Sequence, residues 1–171
     1  PDLRARLAAW IDDSAVPADF ARRVAGNVSM TALPFKTALG ARVGEWLEIV
    51  GAEVKTPEVA RGQAAEMSLV LRGLKQPPPG MRLFAHLRSD AGGFLNADHD
   101  LLQGLMPLQR LRPGMFVRDE LRIQIPASFA LGKATLLVGL FRKDGRIPVS
   151  GPEAVLLKDD RAVRTAVINV R

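Results

Sequence analysis

A chain of 171 residues with 47% apolar and 25% charged side chains has enough apolar surface for one buried core and lacks the apolar-poor, highly charged profile of a disordered segment. The absence of cysteine excludes disulfides, thiolate nucleophiles, zinc–cysteine sites and iron–sulfur clusters. The formal charge of +6 comes from 18 arginines and 6 lysines interleaved with acids, and no tyrosine is present to stack bases, so nucleic acid is not expected as a partner.

The first segment, PDLRARLAAWIDD, reads as helix: Leu3, Leu7, Trp10 and Ile11 fall on one face, with Arg4, Arg6, Asp12 and Asp13 away from it. It lacks the apolar core and cleavage pattern of a signal peptide, and no run of about 18 apolar residues occurs anywhere, so no membrane insertion by this segment is expected. Beginning at Pro1 rather than at methionine, the chain reads as a mature product or as a piece of a longer polypeptide. A second short helix is predicted with Pro17 in its first turn, Phe20 and Val24 four apart, and Gly26 with Asn27 as its stop. From Ser29 to Gly44, SMTALPFKTALGARVG is broken by Pro34, Gly40 and Gly44 and reads as a connector.

From Trp46 the texture changes to short apolar runs separated by Gly and Pro. Strands are predicted at WLEIVGAEV (46–54), EMSLVLR (66–72), RLFAHLR (82–88) and FLNAD (94–98), with SDAGG as the turn between the last two. A long crossing, QGLMPLQRLRPGM, leads to ELRIQIP (120–126), where Leu121, Ile123 and Ile125 should face inward and Arg122 and Gln124 outward. ATLLVGLFR (134–142) is apolar on both faces and should be central; KDG turns the chain into RIPV, and RTAVINVR (164–171) closes the fold. The expectation is a mainly β fold, a two-sheet antiparallel β-sandwich of seven or eight strands, immunoglobulin-like or jelly-roll-like, with an N-terminal helical appendage. Residues 1–45 form the helical segment and connector, and residues 46–171 the sandwich.

Both histidines lie in RLFAHLRSDAGGFLNADHD, so His86, Asp98, His99 and Asp100 are the candidate ligand-binding residues. Asn96, Asp98 and Asp100 stand two apart like the first ligands of a calcium loop, yet Leu101 replaces the glycine of its sixth position and Pro107 the glutamate of its twelfth. A transition-metal site would require His86 and His99 to face each other across the hairpin with a carboxylate beside them. No serine stands in a nucleophile elbow, and the adjacent pairs Asp12/Asp13 and Asp159/Asp160 point apart in strand geometry. The plainer reading makes His86 a strand residue with a satisfied ring, and Asp98 and Asp100 turn residues. No metal, other cofactor or catalytic residue is therefore expected.

Between Leu47 and Val149 the order of motifs resembles a β-sandwich module at the C-terminal, extracytoplasmic end of some bacterial multi-span membrane glycosyltransferases that use lipid-linked sugars. The resemblance is carried by LEIVGAEV, VARGQAAEMSLVLR, LFAHLRSDAGG, ADHD, QGLMPLQRLRPGMFVRDELRIQIP and GKATLLVGLFRKDGRIPV. Within these, the HL after one strand, the DH after the next, the PG before a D-containing strand and the VGLF before a GR turn are the more specific signals. The chain departs from the pattern near Leu111, where a tryptophan is usual, and at Lys133 and Ala134, where an aromatic usually follows the glycine.

The resemblance implies a non-catalytic accessory module, extracytoplasmic and attached to a membrane-bound parent chain, that binds a glycan or protein partner. Two alternatives stand beside it: a free-standing secreted binding module, and a metal-dependent hydrolase using His86, Asp98 and His99. Nine aromatic residues leave few for a sugar-stacking platform once the core is filled.

Overall fold

Alternation of buried and exposed residues governs most of the chain in the computed structural model, which describes residues 24–152, 154–157 and 160–171, without side chains from 153 to 160. The strands are β1 (Val28–Ser29), β2 (Thr37–Val43), β3 (Leu47–Val54), β4 (Glu58–Val59), β5 (Ala64–Gly73), β6 (Arg82–Ser89), β7 (Phe94–Asn96), β8 (Phe116–Gln124), β9 (Gly132–Arg142), β10 (Gly145–Arg146), β11 (Val149–Ser150), β12 (Ala154–Leu157) and β13 (Asp160–Val170). One sheet runs β1-β8-β5-β3-β2-β11; the other runs β12-β13-β9-β6-β7, with β10 on β9 and β4 beside β13. The β4–β13 pair is parallel and the other strand pairs are antiparallel. The two-sheet sandwich expected from the sequence is the architecture found.

The inner faces meet in one apolar core. Ile49, Met67, Leu69, Leu71 and Val117 from the first sheet and Leu83, Leu87, Leu136, Val138 and Leu140 from the second are all buried in it. Leu121, Ile123 and Ile125 are buried while Arg122 and Gln124 are exposed, as their alternation predicts. β9, apolar on both faces, lies in the middle of the second sheet between β13 and β6. Burial of these strands supplies the main drive to fold, at about 25 cal/mol for each Å² of apolar surface removed from water.

Two departures from the sequence reading concern the segments flanking Trp46 and the crossing. Thr37–Val43, expected as part of a connector, forms β2, with Leu39, Ala41 and Val43 buried on alternate positions. Its alternation rests partly on alanine and is interrupted by Gly40 at φ 59°, where the register to β3 shifts, so β propensity alone does not reveal it. β8 begins at Phe116 rather than Glu120, which brings Asp119 into the strand. The predicted stop at Gly26 and Asn27 coincides with the end of a helical turn over residues 24–27, whereas the Leu3, Leu7, Trp10 stripe, Asp12, Asp13 and Phe20 lie outside the described residues.

Candidate functional site

The two histidines are positioned by different elements. β6 pairs with β7 so that His86 stands opposite Asn96. Strand parity turns Leu83, Ala85 and Leu87 into the core, which puts Phe84, His86 and Arg88 on the outer face of the second sheet. After β7 the chain leaves that sheet and crosses the open side of the sandwich towards the first sheet, and His99 lies on this crossing. Asn96 Oδ1 accepts the Asp98 backbone N–H at 2.7 Å, and Asp98 Oδ1 accepts the Ala85 N–H at 2.9 Å, so both side chains serve the turn that starts the crossing.

His99 is fixed at both ring nitrogens. Nδ1 lies 2.9 Å from the Ala97 carbonyl oxygen and Nε2 lies 2.7 Å from Asp119 Oδ2. A carbonyl and a carboxylate only accept, so these partners satisfy both nitrogens when the ring is an imidazolium, and they favour that form. Burial, the largest single influence, acts against that charge; the hydrogen bond and charge of Asp119, with the Ala97 carbonyl, outweigh it and raise the His99 pKa above its ordinary value. Asp119 has no solvent-exposed surface, and its other oxygen, Oδ1, accepts the Leu102 N–H at 2.8 Å. That amide opens a turn in which Leu102, Gln103 and Gly104 have φ of 56°, 59° and 88°. Left-handed backbone is uncommon for leucine and glutamine, so the buried carboxylate holds a turn that the residues themselves disfavour.

His86 has the opposite character. Its Nδ1 faces Arg146 Nη2 at 3.4 Å and its Nε2 faces Asp98 Oδ1 at 3.4 Å. Arginine only donates, so Nδ1 is the accepting nitrogen and the proton sits on Nε2, directed at Asp98. Burial lowers the His86 pKa, Asp98 opposes that, and Arg146 and Arg88 reinforce it. The ring is neutral. It lies between Phe84, with ring centroids 4.9 Å apart, and Phe94, edge-on at 5.0 Å. The Arg146 guanidinium covers the Phe84 ring at 4.3 Å. Gly139, paired with Phe84 across β6 and β9, leaves the space this ring needs: a Cβ there would lie 2.6 Å from the ring and 2.9 Å from the Arg161 carbonyl oxygen.

Of the four sequence candidates, then, the structure brings His86 and Asp98 together, seats His99 on a different carboxylate, and leaves Asp100 exposed, with its backbone carbonyl accepting the Gly104 N–H. Asp98 separates two cavities. A cavity of about 220 Å³ is lined by Phe84, His86, Asp98, Phe141 and Arg146 among others. One of about 640 Å³ is lined by Asp98, His99, Gln103, Glu120 and Arg122 among others. The two histidines front different cavities, and among the described residues no three His, Asp or Glu side chains converge as cation ligands. Asn96, Asp98 and Asp100, the weak calcium candidates, are accounted for by the turn contacts above and by exposure.

Sequence reasoning missed Asp119 and Arg146. A signal for Asp119 was present: an acid at an inward position between Val117 and Leu121 needs a buried partner. Arg146 stood in the GR turn without anything to show which residue it would face.

No protein-family model matches the sequence, and comparison with curated proteins finds no match. Among solved structures, the chain is similar to the crystal structure of a Niemann-Pick type C2 protein from Japanese carpenter ant, with 6% sequence identity, a TM-score of 0.47, and coverage of 81% of this chain and 100% of that one.

Proposed function

We propose that the chain is a non-catalytic β-sandwich module that binds a glycan or protein partner, as the extracytoplasmic part of a membrane-bound glycosyltransferase-like protein. One observation supports this reading above the others. The motif letters that carry the resemblance lie in two adjacent groups: His86 of the HL pair with Asp98 of the DH pair and Arg146 of the GR turn, and His99 of the DH pair with Asp119 of the D-containing strand, the groups being joined by the Asp98–His99 peptide bond. Motifs scattered over 61 positions, from His86 to Arg146, thus describe one built corner of the sandwich.

The chemistry of that corner favours holding over turnover. An imidazolium with both nitrogens donating has no lone pair for a metal and cannot accept a proton as a general base. His86 keeps one lone pair, directed at a guanidinium. Among the described residues neither cavity is lined by a serine or threonine that could act as a nucleophile. What the corner does offer is a carboxylate, a guanidinium and the edge of Phe141 around a small hollow, a set that suits hydroxyl-rich or peptide-like groups.

Titration of isotope-labelled protein with neutral and acidic oligosaccharides and with peptides tests the binding role. The expected result is amide shifts at Ala85, Asp98 and Arg146, with no turnover of ester, glycoside or phosphoester substrates, with or without zinc or calcium. Turnover that disappears in His86→Ala or His99→Ala would overturn the reading in favour of the hydrolase. The parentage is tested by the reading frame upstream of Pro1, where several apolar spans are expected; a frame with none would overturn that part.

A further inference from the structure

The outer face of the second sheet carries a second hollow, away from the His99 crossing. Register places Arg88 opposite Thr135 and Thr135 opposite Val167, while Leu137 stands opposite Arg164 one row further along. These side chains and Lys133 line a cavity of about 500 Å³, within the size range of small-ligand pockets. Its floor is apolar, with Leu137 buried and Val167 40% exposed. Its rim is cationic on three strands: Arg88 on β6, Lys133 on β9 and Arg164 on β13.

Several surface cations outside this hollow are held in ion pairs. Lys36, Lys55, Arg72, Lys75 and Arg142 each meet a carboxylate within 4 Å, namely Glu53, Glu120, Glu48, Glu45 and Asp144. Lys133 and Arg164 have no such partner among the described residues, and Arg88 lies over the Phe94 ring at 5.8 Å. Among the described residues Asp90 is the one acid lining the hollow, on the exposed turn whose backbone N–H donates to the Lys133 carbonyl. Lys133 and Arg164 beside the Asp90 carboxylate leave an excess positive field in a concave site, where it is focused rather than dispersed. Guanidinium groups match the planar forks of carboxylate and phosphate, and the Thr135 hydroxyl can donate to or accept from a sugar hydroxyl.

We propose that the hollow between Arg88, Lys133 and Arg164 binds a saccharide through a carboxylate or phosphate substituent, with Thr135 addressing the sugar. This rests on the glycan-binding reading above and adds the ligand's charge and its place on the fold.

The experiment is an NMR titration of the labelled chain with glucuronic acid, glucose 6-phosphate, glucose and inorganic phosphate, with phosphatidylglycerol vesicles in a separate sedimentation arm. Glucuronic acid and glucose 6-phosphate should shift the amides of Arg88, Thr135 and Arg164, while glucose should not. Lys133→Ala with Arg164→Ala should weaken both charged sugars at least about tenfold, the loss of charge-assisted hydrogen bonds. Both positions are exposed, so the double variant should keep the wild-type circular dichroism; if it does not, Lys133→Gln with Arg164→Gln takes its place. Thr135→Val, which keeps every charge, should weaken the charged sugars but not inorganic phosphate. Inorganic phosphate binding as tightly as glucose 6-phosphate, or vesicle binding without any response to soluble sugars, overturns the proposal. A response confined to Ala85, Asp98 and Arg146 overturns it too, while leaving the earlier reading in place.

Discussion

His99 Nε2 and Asp119 Oδ2 lie 2.7 Å apart, joining the chain that leaves the second sheet to the inward face of β8 in the first. The carboxylate has no exposed surface and the imidazole little, with 20% of its side chain accessible. The pair therefore spans the open side of the sandwich, and through Oδ1 it also secures the left-handed turn at Leu102. One contact thus determines the path of a crossing that bears both Asp98 and His99.

Removing both partners of this pair should cost less than the two single removals added together. His99→Leu leaves a buried carboxylate with only the Leu102 amide, and Asp119→Leu leaves the half-buried imidazole without the acceptor of its Nε2 and the Leu102 amide without its side-chain acceptor. Each should lower stability by about 3–5 kcal/mol in urea unfolding. The double variant should lose less than the sum of the two by at least about 1 kcal/mol. Strict additivity would mean that the contact contributes nothing to the fold.

The two histidines should give the stability curve opposite slopes on either side of their ordinary pKa of 6.5. The folded His99 pKa is raised, so the folded state binds more protons than the unfolded one above that value. Its contribution is complete below about pH 6.5 and is lost as pH rises through the raised folded pKa. His86 is depressed in the fold; its contribution is present above about pH 6.5 and is lost as pH falls towards the folded pKa. Denaturant midpoints measured from pH 5 to 9 should therefore flatten on the alkaline side in His99→Gln and on the acidic side in His86→Gln. The same flattening in both variants would contradict the assigned protonation states.

Much of this was legible in the sequence, for reasons visible in particular residues. Leu121, Ile123 and Ile125 alternate with polar neighbours and are buried on one face; the doubly apolar β9 lies between two strands. His86, Asp98 and His99 announce a polar site by their density in a β hairpin. Their pairing was less legible, because it depends on which elements the topology places side by side. Asp119 is 20 residues from His99 and on the other sheet, and Arg146 is 60 from His86. β2 escaped notice because Gly40 and two alanines dilute its alternation, although tertiary burial of Leu39 and Val43 makes it a strand.

Gly139 is where the aromatic corner is most sensitive to a single methyl group. Gly139→Ala should force the Phe84 ring away from its place beside His86, because the new Cβ meets both the ring and a backbone carbonyl. The loss of stability should be about 1–3 kcal/mol, typical of overpacking a buried site. Since Arg146 covers the same ring, side-chain NMR signals of Arg146 should move as well. A variant of unchanged stability and unchanged Arg146 signals would show that the ring has room to spare.

Divalent cations provide the sharpest separation between holding and hydrolysis. A hydrolytic site built on His86, Asp98 and His99 needs at least two imidazole lone pairs or carboxylate oxygens aimed at a common point. Here the His99 nitrogens both donate, the His86 lone pair faces Arg146, and Asp98 Oδ1 already accepts the Ala85 amide. To bind zinc through His99, the protein would have to give up its ion pair with Asp119, which opposes metal binding by the same few kcal/mol that the pair contributes. Zinc, calcium and a chelator should therefore each leave the melting temperature within about 1 °C of the untreated protein, where a bound ion at 100 times its Kd would add about 2.7 kcal/mol. A zinc-induced rise that His99→Gln abolishes would reverse that conclusion.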